Sequence, residues 1–234
     1  MEKLNQQKIK ICVPIKERSN TKVIEKLKLA QEKGADLCEI WLGEIEDLDL
    51  EAIFTVKKIP LVVNVKGESE QGSFKGTESE KVDLLLKAVE MGVEYADIAY
   101  ENHTETINDF VSKTDKKSKI IISHHFWENT PPLPALLNIS SKMLNLKADI
   151  VKLCTSSKTQ KDLLTILRLA ENLNRKNISH ITILMGELGK SSRILIPSVY
   201  GGEFTFATLD KNSSTASGQF SIDEIKEVEK MLSV

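Results

Sequence analysis

This sequence of 234 residues lacks the features that mark secreted, membrane and nucleic-acid-binding proteins. Its start, M-E-K-L-N-Q-Q-K, has no apolar stretch of the kind found in a signal peptide, and no uninterrupted apolar run approaches the length of a membrane span. The net charge is −2, so no basic field exists to attract nucleic acid or an anionic membrane. We therefore expect a cytoplasmic protein that binds neither nucleic acid nor a membrane.

Cysteine is scarce, and the three that occur do not form a recognisable framework. Cys12, Cys38 and Cys154 all fall in apolar runs, no C-x-x-C is present, and the number is odd. This usage is typical of buried thiols in a reducing compartment, and it argues against a disulfide scaffold or a zinc site.

Linkers, low-complexity tracts and charge blocks are also missing, so nothing divides the chain. What is present is a series of apolar runs with helical patterns between them. The runs predict eight strands, at residues 9–15, 36–42, 60–66, 94–101, 119–125, 148–157, 180–185 and 204–208. The helical patterns predict helices at residues 20–33, 49–57, 78–91, 104–113, 136–145, 159–174 and 222–232.

Strands that alternate with helices pair in parallel through right-handed crossovers. Eight such units in this length favour a closed (β/α)8 barrel, or TIM barrel, over an open doubly wound sheet. No G-x-G-x-x-G follows a predicted strand and no P-loop is present, which weakens the nucleotide-binding alternative. The sequence therefore predicts an α/β protein in which residues 1–234 form a single (β/α)8 barrel domain.

A lysine lies in the middle of the sixth predicted strand, A-D-I-V-K-L-C-T-S-S. With a period of two, Lys152 shares a face with Ile150 and Cys154, so its ammonium points towards a core. Burial lowers the pKa of an ammonium and favours a neutral amine, which can attack a carbonyl and form a Schiff base. The alternative is that Lys152 reaches solvent or pairs with a carboxylate.

In a (β/α)8 barrel the site is formed at the carboxyl ends of the strands, which meet at one rim. Polar side chains end most of the predicted strands or follow in their loops. They are Glu39, Trp41, Asn64, Lys66, Glu70, Asp97, His125, Lys152, Arg193 and Gln219. Each has an ordinary explanation by itself, but the barrel would bring all of them together.

Several motifs on these elements resemble those of type I 3-dehydroquinate dehydratase, the Schiff-base enzyme of the shikimate pathway that leads to aromatic amino acids. The resemblance runs over nearly the full length. The most specific motifs are S-H-H-F-W-E-N-T-P, A-D-I-V-K-L, M-G-E-L-G-K-S-S-R and the G-Q of S-S-T-A-S-G-Q, with A-D-L-C-E-I-W-L, V-K-G-E-S-E-Q-G and Y-A-D-I beside them.

The resemblance implies a role for each matching position. Lys152 matches the Schiff-base lysine, His125 the general acid and base, and Glu70 the carboxylate that orients the histidine. His124 points to the opposite face, which predicts a structural residue. Substrate binding is implied for the remaining positions, with Arg193 facing the substrate carboxylate and Glu39 near the hydroxyls: Glu39, Trp41, Lys66, Arg193, Thr215 and Gln219.

The implied reaction is the dehydration of 3-dehydroquinate, a lyase reaction. The α-hydrogen of this cyclic β-hydroxy ketone is too weakly acidic for an imidazole to remove readily. A protonated imine is an electron sink that makes the adjacent carbon more acidic, which explains the need for the lysine. No metal or cofactor is expected, and the family habit implies a homodimer. Two alternatives stay open: another class I aldolase-type barrel, and a weak homologue that only binds a polyhydroxy carboxylate.

The sequence departs from the family pattern at positions that contact substrate. Trp41 and Lys66 stand where the family has arginines, Gly43 where it has an acidic residue, and Thr215 where it has a serine. Loss of a planar guanidinium is not a conservative change. We therefore expect substrate geometry and affinity to differ more than the covalent step.

Overall fold

The computed structural model describes residues 7–209 and 218–232, and its strands and helices alternate as predicted. Strands in the described residues are β1 Ile11–Ile15, β2 Leu37–Trp41, β3 Leu61–Asn64, β4 Tyr95–Ala99, β5 Lys119–Phe126, β6 Ile150–Ser156, β7 His180–Met185, β8 Thr205–Thr208 and β9 Phe220–Ser221. Helices there are α1 Asn20–Glu32, α2 Leu50–Val56, α3 Glu78–Glu90, α4 Thr104–Thr114, α5 Leu133–Asn145, α6 Gln160–Arg175, α7 Ser192–Val199 and α8 Ile222–Leu232.

All strand pairs run parallel, in the order β7-β6-β5-β4-β3-β2-β1-β8-β9. The two ends of the sheet approach each other at the segment just before β8. His180 forms a parallel bridge with Gly202, and the Glu203 amide donates to the His180 carbonyl at 2.9 Å. The predicted α/β barrel architecture is confirmed, since consecutive strands curl into a ring with the helices around it.

Local sequence accounts for where the helices begin and end. Thr77 starts α3 with a reciprocal capping box to Glu80, and Thr159 starts α6 with the same arrangement to Asp162. Gly92 follows α3 with a positive φ of 83°, a conformation that glycine adopts without strain. These signals explain why most predicted boundaries lie within three residues of the observed ones.

The sequence did not predict α7, because Pro197 and the neighbouring glycines are typical of a loop. Proline lacks the N–H that bonds to the preceding helical turn, which disfavours an internal position. In the structure Ile194, Ile196 and Pro197 are buried, and this apolar packing offsets the lost hydrogen bond. The short strand β9 was also not predicted, since two residues are too few for a periodic signal.

Two apolar cores form on the two faces of the sheet. The larger lies between the strands and the surrounding helices, as alternation in buried parallel strands requires. The smaller fills the barrel, and its buried members include Cys12, Leu37, Val62, Ile121, Ile150 and Phe204. Within the described residues, none of the helices is both long and apolar enough to cross a lipid bilayer.

Candidate active site

A pocket opens at the carboxyl ends of the strands. The pocket contains nearly all the residues that the sequence predicts for a site. They are Glu39, Trp41, Lys66, Glu70, His125, Lys152, Arg193 and Gln219. Thr215, the remaining residue with an implied role, lies outside the described residues. Asn64 and Asp97, which were also predicted at this rim, are buried and do not line the pocket.

Lys152 extends from the middle of β6 into this pocket and is 4% exposed. Its Nζ donates to Asp97 Oδ2 at 2.8 Å and to Glu39 Oε1 at 2.9 Å. The ring of Phe206 lies below, with its centroid 4.7 Å from Nζ. The amine is therefore held between two carboxylates above an aromatic face.

The expectation of a neutral Lys152 is wrong for this state of the site. Burial lowers the pKa of the amine, but the charges of Asp97 and Glu39 outweigh it, and the net pKa lies well above 10.5. Lys152 is a charged, ion-paired lysine, as the alternative interpretation of the strand had it. It must transfer a proton before it can act as a nucleophile.

Asp97 connects Lys152 to a second buried lysine. Its Oδ1 accepts from Ser123 Oγ at 2.6 Å and from Lys66 Nζ at 3.1 Å, while Oδ2 accepts from Lys152. Burial raises the pKa of this carboxyl, but the two lysines and Ser123 lower it by more. The net pKa therefore falls far below its ordinary value. Asp97 is an anion that two cations share.

Lys66 lies deep in the same network. Its Nζ donates to Glu70 Oε1 at 2.7 Å, to Ser123 Oγ at 2.9 Å and to Asp97 Oδ1 at 3.1 Å. Burial lowers the pKa of this amine, but the charges of Asp97 and Glu70 raise it by more. The net pKa is therefore above 10.5. An ammonium has three N–H donors, and these three contacts use all of them.

His125 lies near the end of β5, where its ring stacks on Trp127 with centroids 4.8 Å apart and planes within 8°. Burial is the largest cause that lowers the pKa of His125 well below 6.5, followed by the charges of Lys66 and Lys152. The imidazole is therefore neutral at pH 7, which is the form that a general base requires.

Glu70 is buried, and it contacts lysines instead of the histidine. One carboxylate oxygen accepts from Lys66, and the other lies 3.7 Å from Lys81 Nζ. Within residues 7–209 and 218–232 no hydrogen bond joins Glu70 to His125. The structure thus brings the two residues into one pocket but does not form the orienting contact that the resemblance implies.

His124 points away from the pocket, as strand alternation predicts. Its Nδ1 lies 2.6 Å from Glu101 Oε1, and its ring packs edge-on against Tyr100 and Phe126. These contacts fit a structural residue.

Arg193 and Gln219 reach the pocket from adjacent segments. Arg193 is the second residue of α7 and is 3% exposed, and burial lowers the pKa of its guanidinium to about 10. Gly186 and Gly218 have φ values of 91° and 78°, and a Cβ on Gly218 would lie 2.6 Å from the Gly186 carbonyl oxygen. This close approach of two glycines holds Gln219 near the loop that leads to α7.

Trp41 ends β2, and its indole Nε1 donates to Glu39 Oε2 at 2.9 Å. Glu39 is therefore bonded on one oxygen by the indole and on the other by Lys152. Lys16 Nζ lies 4.7 Å from the centroid of the indole ring, within range of a cation–π interaction.

Asp97 was predicted at the rim without a role, and Ser123, Trp127 and Lys16 were not among the predicted site residues. Parity along the strands contains the signal for them. Ser123 and Trp127 lie two residues before and after His125, and Lys16 lies two residues after the pocket residue Pro14. The missing information was which carboxylate each lysine meets.

A family model, related sequences and solved structures all match this chain to the same family. The family model described as Type I 3-dehydroquinase matches residues 11–234. The 3-dehydroquinate dehydratase of Methanocaldococcus jannaschii is 35% identical over 224 residues, which are 95% of this chain and 98% of that protein.

A longer relative matches with part of its length. The chloroplastic bifunctional 3-dehydroquinate dehydratase/shikimate dehydrogenase of Arabidopsis thaliana is 34% identical over 219 residues, which are 92% of this chain and 36% of that protein. Among solved structures, the 3-dehydroquinate dehydratase of Geobacillus kaustophilus has a TM-score of 0.89 at 25% identity, covering 97% of this chain and 91% of that one.

Proposed function

The chain belongs to the type I 3-dehydroquinase family and is a lyase that dehydrates 3-dehydroquinate, and on this premise we propose that it acts through an imine on Lys152 with His125 as general acid and base. One observation carries the assignment. The buried Lys152 ammonium and a neutral His125 share one pocket, with two carboxylates within 2.9 Å of the amine.

The first step is the loss of a proton from Lys152. Asp97 and Glu39 are hydrogen-bonded to Nζ and are the nearest acceptors. The free amine then adds to the ketone carbon of the substrate, and loss of water gives the protonated imine. A lysine that is charged at rest and hydrogen-bonded to two proton acceptors is compatible with this order of steps.

The second step takes place at the carbon next to the imine. His125 accepts a proton from that carbon, and the electron pair of the broken C–H bond moves towards the imine nitrogen. The electron pair then returns and expels the β-hydroxyl, which leaves as water after His125 has returned a proton to it. Hydrolysis of the imine consumes one water, releases 3-dehydroshikimate and restores the lysine.

Binding is assigned to two sides of the pocket. Arg193, with Gln219, holds the substrate carboxylate, because a guanidinium offers paired donors to two oxygens. The resemblance alone assigns Thr215 to the same carboxylate. Glu39, Trp41 and Lys66 form the opposite side. Glu70 acts through Lys66 in this arrangement, and its contact with His125 would require a rearrangement on substrate binding.

Borohydride reduction tests the covalent step directly. We expect that incubation with 3-dehydroquinate and then borohydride adds the reduced ligand to the protein, with the modified peptide mapping to Lys152. A Lys152→Met variant should remain unmodified and inactive. Modification of another lysine, or none in the parent protein, would contradict the proposed function. Detection of 3-dehydroshikimate in the incubation before borohydride is added separates a lyase from a homologue that only binds.

We also propose that the chain works as one domain, as a homodimer and in the cytoplasm. The family habit of dimers supports the second point, and the three free, buried cysteines, which are typical of a reducing compartment, support the third. Sedimentation equilibrium at micromolar protein tests the dimer, since a mass near 26.2 kDa would contradict it.

A further inference from the structure

The side of the pocket formed by β1 to β3 has lost the donors that two arginines would supply. Lys66 uses its three N–H groups on Glu70, Ser123 and Asp97. Trp41 has one N–H, and it donates to Glu39. Neither residue therefore has a donor left for a substrate hydroxyl.

Lys16 follows β1 on the same side and lines the pocket. Its Nζ donates to the Gln71 carbonyl oxygen at 2.5 Å and lies 4.7 Å above the Trp41 ring. Its side chain is 35% exposed. One of three donors is thus engaged, and the ammonium is held in place by a hydrogen bond and an aromatic face.

The surroundings of Lys16 favour a neutral partner over an anion. Glu44 Oε1 lies 3.8 Å from Nζ, so the positive charge is partly offset. The arginine assigned to the substrate carboxylate, Arg193, comes from the segment after β7, whereas Lys16 lies beside the Glu39 and Trp41 side.

The loss of an arginine at position 41 is matched by a second local change. A Cβ on Gly43 would lie 2.8 Å from Phe74 Cβ, so the loop after β3 fills the space of a side chain there. An acidic residue that could hold an arginine is excluded by this packing. Trp41 and Lys16 form a different pair in the same region.

We propose that Lys16 is a substrate-binding residue that donates a hydrogen bond to a ring hydroxyl of the substrate. The inference rests on the proposed function, since it takes the substrate to be 3-dehydroquinate. In this arrangement the cation reaches the hydroxyl side of the pocket from β1, and Trp41 positions it through its ring.

The test compares Lys16→Met with Lys10→Met, which removes the same charge from an exposed position just before β1. Loss of a charged hydrogen bond to the substrate should raise KM about tenfold for Lys16→Met, with kcat changed by less than about threefold. Lys10→Met should leave both constants unchanged. Lys16→Arg should retain most of the affinity, because it keeps a charged donor.

A double variant adds a second criterion. In Lys16→Met/Trp41→Arg the new guanidinium no longer faces a lysine and can donate to the hydroxyl, so the combined loss in kcat/KM should be smaller than the product of the two single losses. A KM for Lys16→Met within twofold of the parent, or losses that multiply, would overturn the role of Lys16. If borohydride still labels Lys152 in that case, the proposed function stands and only this inference fails.

Discussion

Two layers of side chains inside the barrel differ in chemistry although several strands supply both. The lower layer includes Leu37, Val62, Ile121, Ile150 and Phe204. The upper layer consists of Glu39, Lys66, Asp97, Ser123 and Lys152, which are buried and joined by hydrogen bonds. Leu37 precedes Glu39 by two residues, Ile121 precedes Ser123, and Ile150 precedes Lys152. A rise of about 6.6 Å along each strand therefore separates core from site.

Both layers point into the barrel and are buried, so the comparison shows that residue type decides what each buried position does. The lower layer stabilises the fold through non-directional burial of apolar area. The upper layer buries two lysines and two acids, and such charges are tolerated only because each is paired. The lower layer should thus control stability alone, whereas the upper layer should control activity, pH response and stability together.

The largest expected effect is on turnover, at the rim above the upper layer. His125→Ala removes the proposed base and should reduce kcat by about 10² to 10⁴, while borohydride labelling at Lys152 persists. In the parent protein the acid limb of the kcat/KM profile should lie below pH 6.5, because burial and the two lysines lower the pKa of His125. His103→Ala, at a histidine whose side chain is 87% exposed, is the control. Turnover near that of the parent would assign the base to another residue.

Breaking the upper layer itself should destabilise the fold. Asp97→Asn leaves Lys152 and Lys66 short of an anion, and the free energy of unfolding should fall by about 3–5 kcal/mol at pH 7. The folded pKa of Asp97 is lowered, so its stabilisation is present above the unfolded pKa and is lost as pH falls through that value towards the folded one. Urea unfolding between about pH 5 and pH 2 should therefore show a steeper loss of stability in the parent than in the variant. Parallel pH profiles would contradict the shared-anion role.

Truncation in the lower layer should separate stability from activity. Leu37→Ala leaves a cavity inside the barrel and should lower the free energy of unfolding by about 2–5 kcal/mol. Measured well below the unfolding temperature, kcat/KM should stay within about twofold of the parent. Leu164→Ala, on α6 with 57% exposure, should change neither quantity. A large loss of kcat/KM in Leu37→Ala would show that the two layers are coupled.

Sequence periodicity was sufficient for the alternating elements and for the inward position of Lys152, because both depend on local parity. It was not sufficient for α7, where burial of Ile194 and Ile196 outweighs the proline signal. Sheet closure through His180 and Gly202 depends on residues that no local pattern connects.

The charge state of Lys152 could not be predicted from its strand. A buried lysine is neutral or ion-paired according to what faces it, and the facing carboxylates of Glu39 and Asp97 lie 113 and 55 positions away in sequence. The resemblance implied His125 as the partner of Glu70, but Lys66 and His125 both line the same pocket. The structure selects Lys66, four residues before Glu70.

The smallest expected effect concerns Trp41, where the upper layer meets the substrate side of the pocket. One interpretation is that Trp41 only fills the space of an absent guanidinium, so that Trp41→Arg would be tolerated or would lower KM. The structure favours a shaped wall, because the indole is bonded to Glu39 and covered by Lys16. Arginine would bring a second cation next to Lys16 and compete with Lys152 for Glu39.

We therefore expect Trp41→Arg to cost about 1–3 kcal/mol in kcat/KM, measured by initial rates at low substrate. Trp41→Phe keeps an aromatic face for Lys16 and removes only the N–H to Glu39, so its loss should be smaller than that of Trp41→Arg. The opposite result would be a kcat/KM of Trp41→Arg that equals or exceeds that of the parent, together with a lower kcat/KM for Trp41→Phe. Position 41 would then contribute a hydrogen-bond donor and not an aromatic wall, and the upper layer would reach the substrate through charge alone.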